Sequence, residues 1–359
     1  MDFCYRFPVV RGVQANREYY IGMVPLRMIS RLFPTEDEYV LPEYRAQRKL
    51  NQSRIPAIRK YILDNRDTYV FSALAASIDG ECQFISTNSN PDLGVLEVSL
   101  DAKFLINDGQ HRKAAILEAI AEDDSLLDET ISVVFFADQG LARSQQMFTD
   151  LNKHAVKTSN SIAELYDSRD QLAVITREVI SCVPFLNSYT DKEKDILGKY
   201  SSNLFTLSTF YNANKRIVKN SDVDEDTSRF LFEYWSCICE NIVPWQELYR
   251  HELSKVDLRE NYIVTQSVMI QVFGRLGSCM YLKPVNELTT VLSGLRHVDW
   301  KRDSKNWLLR TIRENGRMIN NEEAIILTCN VLKKQLGIPL DQNEASKETL
   351  FESRLQNNG

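Results

Sequence analysis

Apolar and polar positions follow two grammars along this chain, and the change comes near residue 157. In the first part, short apolar runs alternate with turn signals. YYIGMV (19–24) reads as a strand, and Pro25 suits the first turn of a short helix running to Phe33. Ile55, Ile58 and Ile62 recur at spacings of three and four, which predicts a helix capped by Ser53 and running to Asn65. Pro56 falls in its first turn, where a missing N–H costs little. VFSALAASIDGECQFIS (70–86) reads as two runs joined at Asp79-Gly80, a hairpin signal. VLEVSL (95–100) and KFLIN (103–107) read as a second strand pair. A helix from Gln110 to Ala121 follows, then a buried strand, ISVVFFA (131–137). Leu141 to Lys153 reads as a helix with Met147, Phe148 and Leu151 facing inward.

Strand alternation nearly disappears after that. Ser161 and Glu164 form a capping-box pattern ahead of a long helix. SDVDEDTSRF (221–230) reads as a polar loop and Asn261 to Leu276 as an apolar helix. Ser304 is placed to cap a helix ending near Gly316. Asn320 or Asn321 caps another, with Glu322 and Glu323 in its first turn and Gly337 and Pro339 closing it. The polar stretch from Asp341 onward is expected to dock loosely. The reading is an α+β chain, with a mixed sheet over 1–157 and an all-helical domain over 158–359.

Composition narrows the chemistry. With 359 residues, 43% of them hydrophobic, the chain can build two cores. No apolar stretch reaches membrane-spanning length, and MDFCYRFPVVRG lacks signal-peptide grammar, so a cytoplasmic protein is expected. The seven cysteines form no C-x-x-C pair and read as reduced thiols. There is no GxxxxGKS loop, HExxH or nucleophile elbow, and His occurs only four times. No catalytic residue and no metal ligand is therefore assigned.

A net charge of −6 leaves nucleic-acid binding to local basic patches. Residues 41–66 hold seven Lys/Arg against two acids, and 301–317 hold six against two. Arg45, Arg48 and Arg54 in the first run are DNA-contact candidates, as are Arg302, Lys305, Arg310 and Arg313 in the second, where Arg317 adds to the charge. The paired helices 304–315 and 321–336 have a helix–turn–helix layout. Solvated helix faces and a packed helical hairpin are the plainer alternatives.

FLINDGQHRKAAI (104–116) poses a separate question. A strand meets Asp108-Gly109 and a helix starts with His111, Arg112 and Lys113, where acidic residues are usual. Two readings compete. Asp108 as N-cap offsets the cations, or a bound anion sits on the first-turn N–H groups and Arg112. A first-turn arginine is expected to pack little, so that Arg112→Ala would leave the fold intact.

DGQHR (108–112) is the namesake motif of the DGQHR-domain proteins. LPEYRAQRKLNQSRIPAIRKYI (41–62), FTDLNKHAVKTSNSI (148–162) and WKRDSKNWLLRTIRENGRMINNEEAI (300–325) resemble one branch of them, the DndB family. Its members are accessory to bacterial systems that put sulfur into the DNA backbone as phosphorothioate. The resemblance implies a regulator that represses transcription of the modification genes. Its partners would be double-stranded DNA upstream of its own operon and other phosphorothioation proteins, without a membrane. The motif is also similar to the nucleotide-binding stretch of ParB and sulfiredoxin. That implies a ParB/sulfiredoxin-like first domain and a site for ATP or CTP with Mg2+, made by Asp108, Gly109, Gln110, His111 and Arg112 with Asn152 and Lys153 alongside. The sulfiredoxin cysteine has no counterpart beside His111, and the arginine run of ParB is reduced to Arg112 and Lys113. The alternative carried by this resemblance is an NTPase or DNA-nicking enzyme working with the modification machinery.

Overall fold

Alternating burial in Cys4–Gln14 (β1) and Arg17–Pro25 (β2) is realised as an antiparallel hairpin, with Val9 opposite Gly22. Ala15 and Asn16 both take positive φ at its tip, the backbone that a two-residue hairpin turn demands. β1 escaped the sequence reading, although Val9 and Val13 hint at it. The computed structural model describes residues 3–34, 50–137, 146–147, 151, 158–219 and 221–357. Two compact units emerge, Met1–Val156 and Lys157–Gly359.

In the first unit, Leu26–Met28 and Ile29–Leu32 (α1) form the short helix that Pro25 announces. Then come Ile55–Asp64 (α2), Leu74–Asp79 (β3), Cys82–Ser86 (β4), Leu93–Ser99 (β5), Lys103–Asp108 (β6), Gln110–Glu122 (α3) and Thr130–Phe136 (β7). Asn51, not Ser53, caps the single 3-10 turn that leads into α2. The seven strands form one sheet in the order β4-β5-β1-β2-β7-β3-β6, antiparallel except for β3 against β7. One face carries Phe7, Val24, Ile78, Leu96 and Phe135 into a core shared with Ile55, Ile62, Ile116 and Ala119 of α2 and α3.

The two hairpins expected at 70–86 and 95–107 are corrected. β3 pairs with β6, Asp79 facing Lys103, and β4 pairs with β5, Cys82 facing Val98. The four runs are thus a single long hairpin, with its tip at residues 87–92, kinked at Gly80 on one arm and at 100–102 on the other. Gly80 has φ 152°, and a Cβ there would strike Ala102. An Asp-Gly pair reports a backbone that needs glycine; it does not say which strands pair. β3 and β4 stand far apart in strand order, yet only Gly80 and Glu81 separate them along the chain. The sheet must therefore curl until its ends approach, as in a barrel.

The second unit comprises Asn160–Tyr166 (α4), Gln171–Cys182 (α5), Pro184–Tyr189 (α6), Leu207–Val218 (α7), Glu225–Asn241 (α8), Val243–Tyr249 (α9), Lys255–Asn261 (α10), Ser267–Ser278 (α11), Val285–Leu292 (α12), Glu322–Gln335 (α13) and Gln342–Asn357 (α14). Two two-residue strands, Thr190–Asp191 and Phe205–Thr206, pair in parallel. Trp235, Trp245, Phe210 and Phe273 fill its core, and the Trp235 indole N–H donates to Asn214 at 2.7 Å.

Several expected boundaries move. Ser159 caps α4, while Ser161 is buried and tied to Ser208 at 3.1 Å. α8 starts inside the run read as a polar loop, because Asp224 and Thr227 make a reciprocal capping box. The expected helix 261–276 begins late: α11 starts only at Ser267, and Asn261 instead ends the separate α10. The most consequential correction is at 304–315, which is not a helix. Leu309 stands at φ 60°, and the Trp307 carbonyl accepts from the N–H groups of Arg310, Thr311 and Ile312. Ser304 and Gly316 are genuine turn signals around a compact loop, and the helix–turn–helix layout falls with the helix. α13 begins where expected, with Asn321 accepting from the Ala324 N–H. The tail forms α14, held by its own acids: Glu344 meets Lys333 at 2.7 Å and Arg275 at 2.8 Å.

Candidate nucleic-acid interface and the Asp108–Arg112 turn

Residues 300–319 form a loop braced from within. Trp300 and Trp307 stack at 6.0 Å, and the Trp307 indole donates to the Asp299 carbonyl at 2.9 Å. Thr311 is buried against Thr328 through their hydroxyls. Near the tip, the Arg313 N–H donates to the Arg317 carbonyl at 2.9 Å and the Gly316 N–H to the Arg313 carbonyl at 2.8 Å, so the two arginines face each other across a tight turn. Arg302 donates from Nη2 to the Gly316 carbonyl at 3.2 Å. That places a third guanidinium against the same turn.

Among the described residues, Arg302, Lys305, Arg313 and Arg317 make no ion pair, and all but the half-buried Arg302 are exposed. Anchored cations without carboxylate partners are what a phosphate backbone can use. Arg310 is corrected. Its two terminal nitrogens donate to Glu348 at 2.9 and 2.7 Å, and its guanidinium lies 4.1 Å from the centre of the Phe351 ring. It is a core ion-pair member. Burial alone would raise the Glu348 carboxyl, but hydrogen bonds from Arg310, Lys334 and Asn330 overcome this and hold it at about 2. Charge counting cannot see that partner, which lies 38 residues further along the chain.

At the other motif, β6 ends at Asp108 and α3 begins at Gln110, as the sequence suggests. Gly109 is the N-cap, left-handed at φ 101°, without a side-chain cap. Asp108 does not cap; its Oδ2 accepts from Arg112 Nη2 at 2.7 Å. Arg112 Nη1 donates to the Ser72 carbonyl at 2.7 Å, the Ala73 carbonyl at 3.1 Å and the Ser72 hydroxyl. The side chain is only 16% exposed, and its head lies over Gly109, where an added Cβ would come within 3.2 Å of Nη2. The expectation that Arg112 packs little is therefore wrong. A guanidinium points back at the strand because carbonyls at the start of β3 are in reach. The His111 Nε2 accepts the Asn51 N–H at 3.1 Å, which requires an unprotonated nitrogen there. Gln110 is half-buried. Among the described residues of this turn, the arginine is spent on protein acceptors and a carboxylate stands at the mouth.

Arg54 ends the 3-10 turn before α2 and is exposed. Arg45, Arg48, Asn152 and Lys153 lie outside the described residues. Among the described residues, no group of His, Cys, Asp or Glu is placed to hold a metal ion, and no helix is long and apolar enough to cross a membrane.

Comparison with curated proteins and with solved structures yields no match. Comparison with protein families yields the DndB family, described as DNA-sulfur modification-associated, over residues 7–339. The match takes in both units and both motifs discussed above. By that nearly full-length correspondence, the chain belongs to the DndB family of DNA-sulfur modification-associated proteins.

Proposed function

We propose that this protein binds double-stranded DNA upstream of its own operon and represses the modification genes, without itself transferring sulfur. The observation that carries the reading is the braced loop at 300–319. It offers Lys305, Arg313 and Arg317 to solvent and holds Arg302 against its turn, none of them with an acidic partner among the described residues. On a chain of net charge −6, such a cluster concentrates positive field at one place. Phosphate contacts would supply the affinity, and contacts to base edges the choice of site.

Fluorescence polarisation over a salt series tests this, with the upstream DNA and a scrambled duplex of equal length. The upstream DNA is expected to bind at least tenfold tighter. Arg313→Ala combined with Arg317→Ala is expected to weaken both duplexes and to flatten the log–log salt slope by about one per lost phosphate contact. Equal affinity for the two duplexes would remove the regulatory reading. An unchanged slope would remove the loop from the interface.

A further inference from the structure

A cleft of about 530 Å³ opens within the helical unit between α7, α11 and the start of α13. Its frame is built from side chains that satisfy each other. Arg216 donates from Nε to Gln271 at 2.8 Å and from both terminal nitrogens to Glu322 at 2.9 and 2.7 Å. Gln271 in turn donates to the Thr209 carbonyl at 3.0 Å. The hydrogen bond and charge of Arg216 hold the Glu322 carboxyl below the usual glutamate range against its burial, so the pair stays ionised and neutral overall.

Four of the lining groups left uncommitted among the described residues carry the argument. They are the Lys215 ammonium, the Ser267 hydroxyl, the Asn320 amide and the carbonyl oxygen of Asn212, whose nitrogen already donates to Ser208 at 2.8 Å. Lys215 and Asn212 lie on one face of α7, and Ser267 and Asn320 come from the other two walls. The cleft thus holds one uncompensated positive charge, surrounded by hydroxyl and amide groups. Ile325 is its one aliphatic wall residue. The lining side chains offer one cation and several hydrogen-bonding groups, which suits an anion bearing its own donors and acceptors. The volume is that of a small-molecule site, which typically spans about 300–1,000 Å³.

We propose that this cleft binds a phosphorylated small molecule of mononucleotide size, its phosphate on Lys215 and its remaining polar groups on Asn320, Ser267 and Asn212. The proposal stands apart from DNA binding and from the Asp108–Arg112 turn, since it uses no residue of either. Lys215 is exposed and its ammonium makes no hydrogen bond or ion pair among the described residues, so its replacement should leave the fold intact.

Isothermal titration calorimetry on the full chain tests it with AMP, adenosine and inorganic phosphate. AMP is expected to bind the parent protein, and adenosine at least tenfold more weakly. Lys215→Ala should weaken AMP at least tenfold, Lys215→Arg should restore most of the binding, and Asn320→Ala should weaken it several-fold. Absence of AMP binding up to millimolar concentration would overturn the proposal, as would equal binding by Lys215→Ala. Inorganic phosphate binding as tightly as AMP would overturn the mononucleotide-sized ligand, leaving only an anion contact.

Discussion

Arg112 and Arg310 both sit in basic stretches, and both turn their charge inward. Their partners are carbonyl and carboxylate oxygens supplied by tertiary structure: Ser72, Ala73 and Asp108 for one, Glu348 for the other. Removing a half-buried guanidinium strands those acceptors. We predict that Arg112→Ala lowers unfolding stability by about 1–3 kcal/mol, read as a lower urea midpoint at unchanged slope. A midpoint identical to the parent would mean that water satisfies those oxygens equally well. Glu348 gives a pH test. Its folded carboxyl titrates near 2, below the roughly 4.3 of an unperturbed glutamate. Its stabilising contribution is therefore complete above about 4.3 and is lost as pH falls toward 2. Glu348→Gln should remove that part of the acid dependence. Glu164 runs the other way. Burial first, then Asp195 and Asp170, push its carboxyl up to about 7. Stability should then decline as pH rises from about 4.3 to 7, and Glu164→Gln should flatten the decline in pH-resolved urea titrations.

At the scale of the element, two segments behave differently from their local signals. The hairpin over residues 74–108 bends in its middle because Gly80 adopts a backbone closed to other residues and lies against Ala102. We predict that Gly80→Val costs on the order of 1–3 kcal/mol from backbone strain, with further loss from the clash, seen as a lower thermal midpoint. The loop at 300–319 is a helix by its caps and a turn by its packing. Trp307 is fully buried against Trp300 and organises the N–H groups that follow it. Trp307→Ala is expected to cost about 3–5 kcal/mol and to release the loop's basic side chains from their fixed placement. Weaker DNA binding in that variant, at a temperature where it remains folded, would tie the loop's shape to its proposed role.

For the whole molecule, each unit carries its own hydrophobic core, one beneath the curled sheet and one among the helices. The family assignment covers both. Periodicity and cap residues made most elements legible: β2, α2, α3, β7 and α13 stand near where their apolar spacing and turn residues put them. The strand–turn–helix unit at Asp108-Gly109 was equally readable, because a left-handed glycine and an alanine-rich helix are local properties. What the chain alone settled, then, is wherever backbone preference and side-chain period decide within a few residues. Strand pairing in the long hairpin, the loop at 300–319 and the inward turn of Arg112 and Arg310 were left to the tertiary structure. Each depends on groups distant in sequence, and the energy of a hydrogen bond or buried ring depends on who arrives opposite, which no local pattern encodes.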